Sequence, residues 1–127
     1  MNRREFEKLV YDTYGEAADR PFAKDQDTLV FRHSGNRKWF AIVMTVPGSR
    51  LGLKDDGVID IVNLKCDPEV LLSVLGEAGI FPAYHMNKSH WLSVALDGSC
   101  ERGTVEWLLS ISYNLTRTKI KKCQGNG

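Results

Sequence analysis

An excess of either charge is what this chain most conspicuously lacks: 17 Lys and Arg stand against 16 Asp and Glu, a formal net charge of +1. No global field therefore draws it onto a polyanion or an anionic membrane, and any such contact has to come from a local patch. Cysteine is scarce and odd in number. Cys66, Cys100 and Cys123 form no C-x-x-C pair, which argues against a disulfide framework and a cysteine metal site and fits reduced thiols in a cytoplasm. The roughly 20 consecutive apolar residues of a membrane helix occur nowhere. The opening residues Met1-Asn2-Arg3-Arg4-Glu5-Phe6-Glu7 contain no apolar secretory core. A cytoplasmic location without a membrane partner is the expectation. Internal repeats and low-complexity runs are absent too, which leaves out solenoids and disordered linkers.

What remains is an ordinary globular composition over 127 residues, 43% hydrophobic and 26% charged. That length suits one compact core, since domains commonly run to roughly 100–200 residues. One domain over residues 1–122 with a polar tail at 123–127 is expected.

Phe6, Leu9, Val10 and Tyr14 recur at helical spacing from Arg3 to Tyr14, ending near Gly15. Thr28 to His33 and Lys38 to Val46 read as strands of a hairpin around Ser34-Gly35-Asn36, with Pro47 and Gly48 as the stop. Val58 to Lys65 is a third strand, apolar on both faces. Asp67 then offers a capping carboxylate and Pro68 a first helical position, for a helix to about Leu75. Phe81 to Met86 and His90 to Leu96 read as strands joined by Asn87-Lys88-Ser89. A last helix starts at Arg102 or Thr104 and runs to about Lys119, its stripe Val105, Leu108, Leu109, Ser112 and Leu115. The order α-β-β-β-α-β-β-α predicts an α+β fold, an antiparallel sheet of about five strands with helices on one face. If Phe40, Ile42, Met44 and Val46 face the helices, Trp39, Ala41, Val43 and Thr45 face away. Likewise Leu92, Val94 and Leu96 separate from Trp91, Ser93 and Ala95, which implies a partly aromatic second face.

The densest cluster of chemistry-bearing residues is Tyr84 to Trp91, with His85, Asn87, Lys88 and His90 in one window. A functional reading makes the histidines acids, bases or ligands and Asn87 and Lys88 donors to an anion. Turn chemistry and sheet aromatics explain the same residues structurally. No third ligand for a metal and no nucleophile with its base are legible, so no metal, cofactor or catalytic residue is expected. Cys66, ahead of a helix but flanked by Asp67 and Glu69, reads as a packed residue. The acidic pairs Asp25/Asp27 and Asp55-Asp56 read as solvated loop charge. Residues 48–54 lack the spacing of a phosphate loop.

Lys38-Trp39-Phe40-Ala41, Asn63-Leu64-Lys65-Cys66-Asp67-Pro68-Glu69, His85 to Trp91 and Ser112-Tyr113 together resemble the MmcQ/YjbR family of small bacterial proteins. The resemblance spans nearly the whole chain. It implies a compact α+β fold similar to CyaY-like proteins and a DNA-binding character, with Asn63, Lys65, Asp67, Pro68, His85 and Asn87 as motif positions. On that basis the expected function is a non-enzymatic binding domain with DNA as its partner. Arg37, Lys38, Lys88, Arg117, Lys119 and Lys121 would touch phosphates, and His90 and Trp91 would shape the surface. The alternative is a protein-interaction or small-ligand module that uses the aromatic sheet face, as a monomer or weak homodimer.

Overall fold

The computed structural model describes residues 1–54 and 57–117. Asp55-Asp56, Lys119, Lys121, Lys122, Cys123 and the tail at 123–127 lie outside the described residues. The elements are α1 (Arg3–Tyr14), β1 (Leu29–Arg32), β2 (Trp39–Pro47), a 3-10 turn (Gly48–Leu51), β3 (Val58–Lys65), α2 (Pro68–Val74), β4 (Ile80–Pro82), β5 (Trp91–Ala95) and α3 (Arg102–Thr116). The strands form one antiparallel sheet in the order β1-β2-β3-β5-β4, the expected α+β class.

Local chemistry sets the ends of the first two helices. The side chain of Asn2 accepts from the Glu5 amide at 2.8 Å while Glu5 reaches back to the Asn2 amide at 2.9 Å, and Gly15 closes α1 in the left-handed conformation. Asp67 accepts from the Val70 amide at 3.0 Å and Pro68 takes a first-turn position in α2. Phe6 and Val10 of α1, Leu71 and Val74 of α2, and Val105, Leu108 and Leu109 of α3 join one core with Phe31, Val43, Val62, Leu64, Leu92 and Val94 of the sheet. All three helices therefore cover the same face.

The parity expected for β2 holds for Trp39 and Phe40 and then inverts. Phe31 pairs with Ala41 but Arg32 with Trp39, so Phe40 is an extra residue in the ladder. The bulge turns Phe40 into the core and carries Ala41 and Val43 onto the helix side. Ile42 and Met44 consequently border a cavity on the opposite face. Ser112 of α3 secures this irregularity: its hydroxyl donates to the Phe40 carbonyl at 2.5 Å and accepts from the Lys65 amide at 2.9 Å. The separation expected along β5 is observed, with Leu92 and Val94 in the helix-side core.

Two further expectations change. The strand predicted over Phe81–Met86 is only Ile80–Pro82, because His85 adopts a left-handed backbone (φ 59°) that a strand cannot continue through. At the end of α3, Leu115 is 41% exposed and Thr116, four residues after Ser112, takes the buried place. Arg117 is already extended, so the helix stops short of Lys119.

Candidate functional site

In this antiparallel order β1, β3 and β4 end, and β2 and β5 begin, at the same end of the sheet. The turn carrying Arg37 and Lys38, the β3 terminus at Lys65, and the loop leading through His90 to Trp91 are thereby neighbours. Adjacent strands lie about 4.8 Å apart, so β2 and β5 are roughly 10 Å apart. The side-chain amide of Asn36 donates to the Thr116 carbonyl at 2.9 Å, which brings Arg117 to the same end. Arg37 itself has a left-handed backbone (φ 66°), and its amide bonds the His33 carbonyl. Acids are present as well. Glu16 is engaged by the amide and hydroxyl of Ser34, Asp67 caps α2, and Glu69 is exposed in its first turn.

Beneath this cationic end lies His33, buried between Phe40 and Tyr113 at ring distances of 5.0 and 4.3 Å, with Nε2 2.8 Å from Thr116 Oγ1. The Thr116 hydroxyl donates to the Ser112 carbonyl, which makes the histidine nitrogen the donor toward Thr116. Burial lowers the His33 pKa. Arg117 and Lys38 lower it further, against the opposing pull of Glu16 and the Tyr113 backbone. The native state thus favours neutral His33, and the unfolded chain binds more protons as pH falls below the ordinary histidine value of about 6.5. Its stability contribution is full above that value and is lost toward the depressed folded value. The melting-temperature difference between the parent and His33→Gln should therefore narrow as the buffer is taken from slightly alkaline to mildly acidic. A constant gap in parallel thermal melts would contradict this.

On the sheet face opposite the helices, the segment from Ala83 to His90 folds back over the strands. Asn63 and Ser93, register partners and both fully buried, hold it. Asn63 Nδ2 donates to the Tyr84 carbonyl at 3.0 Å, Ser93 Oγ accepts from the Tyr84 amide at 2.9 Å, and the Ser93 hydroxyl donates to Asn63 Oδ1. Both backbone groups of Tyr84 are thus pinned by side chains from the centre of the sheet. Farther along, Asn87 Oδ1 accepts from the Ser89 amide at 2.8 Å, and its carbonyl accepts from the amides of His90 and Trp91. The window from His85 to Trp91 therefore has an architecture built by Asn87, with His85 and His90 at its two exposed flanks.

Two cavities border this loop. One, about 500 Å³, lies between Arg50 and Leu51 of the 3-10 turn and Phe81, Tyr84, His85 and Lys88. Lys88 borders it: Nζ donates to the Ala83 carbonyl at 2.9 Å, just past the end of β4, the edge strand opposite β1, whereas Arg37 and Lys38 lie in the turn between β1 and β2. The other, about 380 Å³, lies among Phe22, Trp39, Ile42, Met44 and Met86, with His85 on its border too and Asp25 and Thr28 at the rim. Phe22 meets Trp39 edge-on at 6.2 Å, and the Arg32 guanidinium lies 5.8 Å from the Trp39 ring centre while pairing with Asp19 at 2.6 Å. Trp91 is half-buried and opposite Lys65. The aromatic face is thus roofed by loops and divided into pockets. Phe22 and Ser93 join it from segments that gave no functional signal in sequence, and Arg50 from the loop at 48–54 that lacks phosphate-loop spacing. Only the placement of polar Asn63 and Ser93 within apolar strands hinted at the buried network.

Cys66 lies in the core. Burial, with Asp67 adding, pushes its thiol up to about 11, so little thiolate forms at neutral pH. Among the described residues no three His, Cys, Asp or Glu side chains are grouped to hold a metal ion, and no helix is long and apolar enough to cross a membrane.

The sequence model of the YjbR family matches residues 12–115. The uncharacterised protein YyaQ of Bacillus subtilis is 37% identical over 117 residues, covering 92% of this chain and 99% of that one. Among solved structures, a Pseudomonas syringae protein superposes with a TM-score of 0.89 at 40% identity, covering 92% of this chain and all of that one. A Deinococcus radiodurans protein with a DUF419 domain follows at a TM-score of 0.67 and 26% identity, over 93% of this chain and 80% of the other.

Proposed function

The chain belongs to the YjbR family, and from that premise we propose that it is a non-enzymatic binding domain whose partner is duplex DNA, gripped by its phosphate backbone. The observation that carries the reading is the shared end of the sheet, where Arg37, Lys38, Lys65, His90 and Arg117 are neighbours; of the local acids, Glu16 and Asp67 are engaged by Ser34 and the α2 cap, and Glu69 is exposed in the first turn of α2. A net charge of +1 is compatible with phosphate binding when cations are segregated on one surface. Lys88 is left out of this contact, because its ammonium serves the loop and the cavity behind it.

Fluorescence anisotropy with a labelled short duplex at low salt tests the proposal. The affinity should fall linearly on a log–log plot against salt, with a slope of about −3 for three neutralised phosphates. The double variant Arg37→Asn/Lys38→Gln should weaken binding by about tenfold or more and reduce the slope by about two. Asparagine tolerates the left-handed backbone at position 37, so the melting temperature should not move. Absence of saturable binding at low salt, or a double variant that binds like the parent, would overturn the reading.

A further inference from the structure

The two cavities on the roofed face meet at one side chain. His85 borders both, and its backbone is held in the left-handed region immediately after a residue whose amide and carbonyl are fixed by Asn63 and Ser93. A non-glycine residue kept in this conformation by buried polar groups is the kind of local strain that positions a functional side chain. The cavities differ in character. Around the larger one Arg50, Lys88 and His85 supply donors, and among the described residues no carboxylate lines it. Neither Arg50 nor Lys88 pairs with an acid among the described residues. The smaller one is aromatic and thioether-lined, through Phe22, Trp39, Met44 and Met86.

We propose that these cavities form one site for a small amphipathic anion. A carboxylate or phosphate group sits between Arg50, Lys88 and His85, and a planar apolar body lies against Trp39 and Met44. Each cavity is within the usual size range of small-molecule sites, roughly 300–1,000 Å³. The orientation follows from charge. Asp25 stands at the rim of the aromatic cavity, its carboxylate occupied by the Thr28 hydroxyl at 2.5 Å and the Asp27 amide at 3.1 Å. An anionic group at that end would meet like charge, whereas at the opposite end the described lining offers Arg50 and Lys88 with the Tyr84 and His85 rings and the apolar Leu51, Phe81 and Pro82. Arg50 presents a planar fork of donors suited to either oxyanion. Thioether and aromatic walls accept flat apolar bodies of varied outline. The site lies on the sheet's roofed face and does not use Arg37, Lys38 or Arg117, so it stands independently of DNA binding.

Titration of the full chain with 2-naphthoate and with 2-naphthyl phosphate, followed by ¹H–¹⁵N spectra, tests the site. At least one anion should bind saturably and shift both the Trp39 indole N–H and the amides of Tyr84 to Lys88, and the tighter of the two identifies the oxyanion preferred. Uncharged 2-naphthylmethanol should bind about tenfold more weakly, because charge-assisted hydrogen bonds are missing. The exposed substitution Arg50→Glu should weaken the anions by at least about tenfold while leaving the melting temperature unchanged. The Arg37→Asn/Lys38→Gln variant should bind them like the parent. Failure of both anions to saturate, shifts confined to residues away from both cavities, equal binding of the neutral analogue, or an Arg50→Glu variant indistinguishable from the parent would overturn the proposal.

Discussion

Phe40→Ala should destabilise the fold by about 3–5 kcal/mol, the range for removing a buried phenyl ring and leaving its cavity. The ring is fully buried at the centre of an aromatic cluster, with Phe31 at 6.3 Å, Tyr14 at 6.2 Å, and His33 and Tyr113 each at 5.0 Å. Those four come from β1, α1, the β1–β2 turn and α3, so the ring joins elements that no other single side chain in the cluster connects as widely. The bulge cannot collapse into the void, because Ser112 holds the Phe40 carbonyl and the Arg32–Trp39 and Ala41–Leu64 pairings hold the backbone of β2 on either side of position 40. A domain of this size has about 5–15 kcal/mol in total, so the loss is a large fraction of it. At about 4 °C per kcal/mol, the melting temperature should fall by roughly 10–20 °C. Urea unfolding monitored by tryptophan fluorescence measures the change directly. A loss below about 1 kcal/mol, less than a typical surface-to-core contrast, would show that the cluster repacks around the gap.

Phe40 also marks the boundary between what was legible in the sequence and what was not. The bounds of α1 at Arg3–Tyr14 and of β3 at Val58–Lys65, and the start of α2 at Pro68, follow from hydrophobic spacing, Gly15 and the Asp67-Pro68 pair, all signals carried by adjacent residues. The facing of β2 depends on how Arg32 pairs with Trp39, a relation between segments that alternation along one strand does not contain. For the same reason Ala83 to Met86 read as a continuation of the strand: what pulls this segment out of the sheet is Asn63, some twenty residues earlier, and Ser93 on a different strand. The motif positions turn out to have physical tasks. Asn63 pins Tyr84, Asp67 caps α2, Asn87 builds its turn, and Ser112 ties down the bulge. Their chemistry was visible in the residue types, but their partners were not. The approach of Arg50 to Lys88 and His85 across the outer face left no trace in sequence spacing.

Asn63→Ala is expected to have the second largest effect, about 3 kcal/mol, and a different signature. Removing the amide leaves the fully buried Ser93 hydroxyl and the half-buried Tyr84 carbonyl without their partner, and each buried stranded group costs about 1–3 kcal/mol. Among the described residues, the Ser93 contact is then what remains to hold the backbone of Tyr84 over the sheet, and His85 loses part of the constraint behind its left-handed conformation. Two readouts separate this from a simple loss of core packing. Amide hydrogen exchange should accelerate from Tyr84 to His90 well beyond the change seen in β2 and β3, because the loop can open without unfolding the helix-side core. Binding of the naphthyl anions should weaken along with it, whereas the contacts of Arg37, Lys38 and Arg117 do not pass through this loop, so most of the DNA affinity should persist in the folded fraction. Asn63→Leu, which restores volume but not hydrogen bonds, should reproduce the exchange pattern. If Asn63→Leu instead protected the loop as the parent does, packing alone would hold Tyr84 in place, and the paired amide and hydroxyl would not be what positions His85.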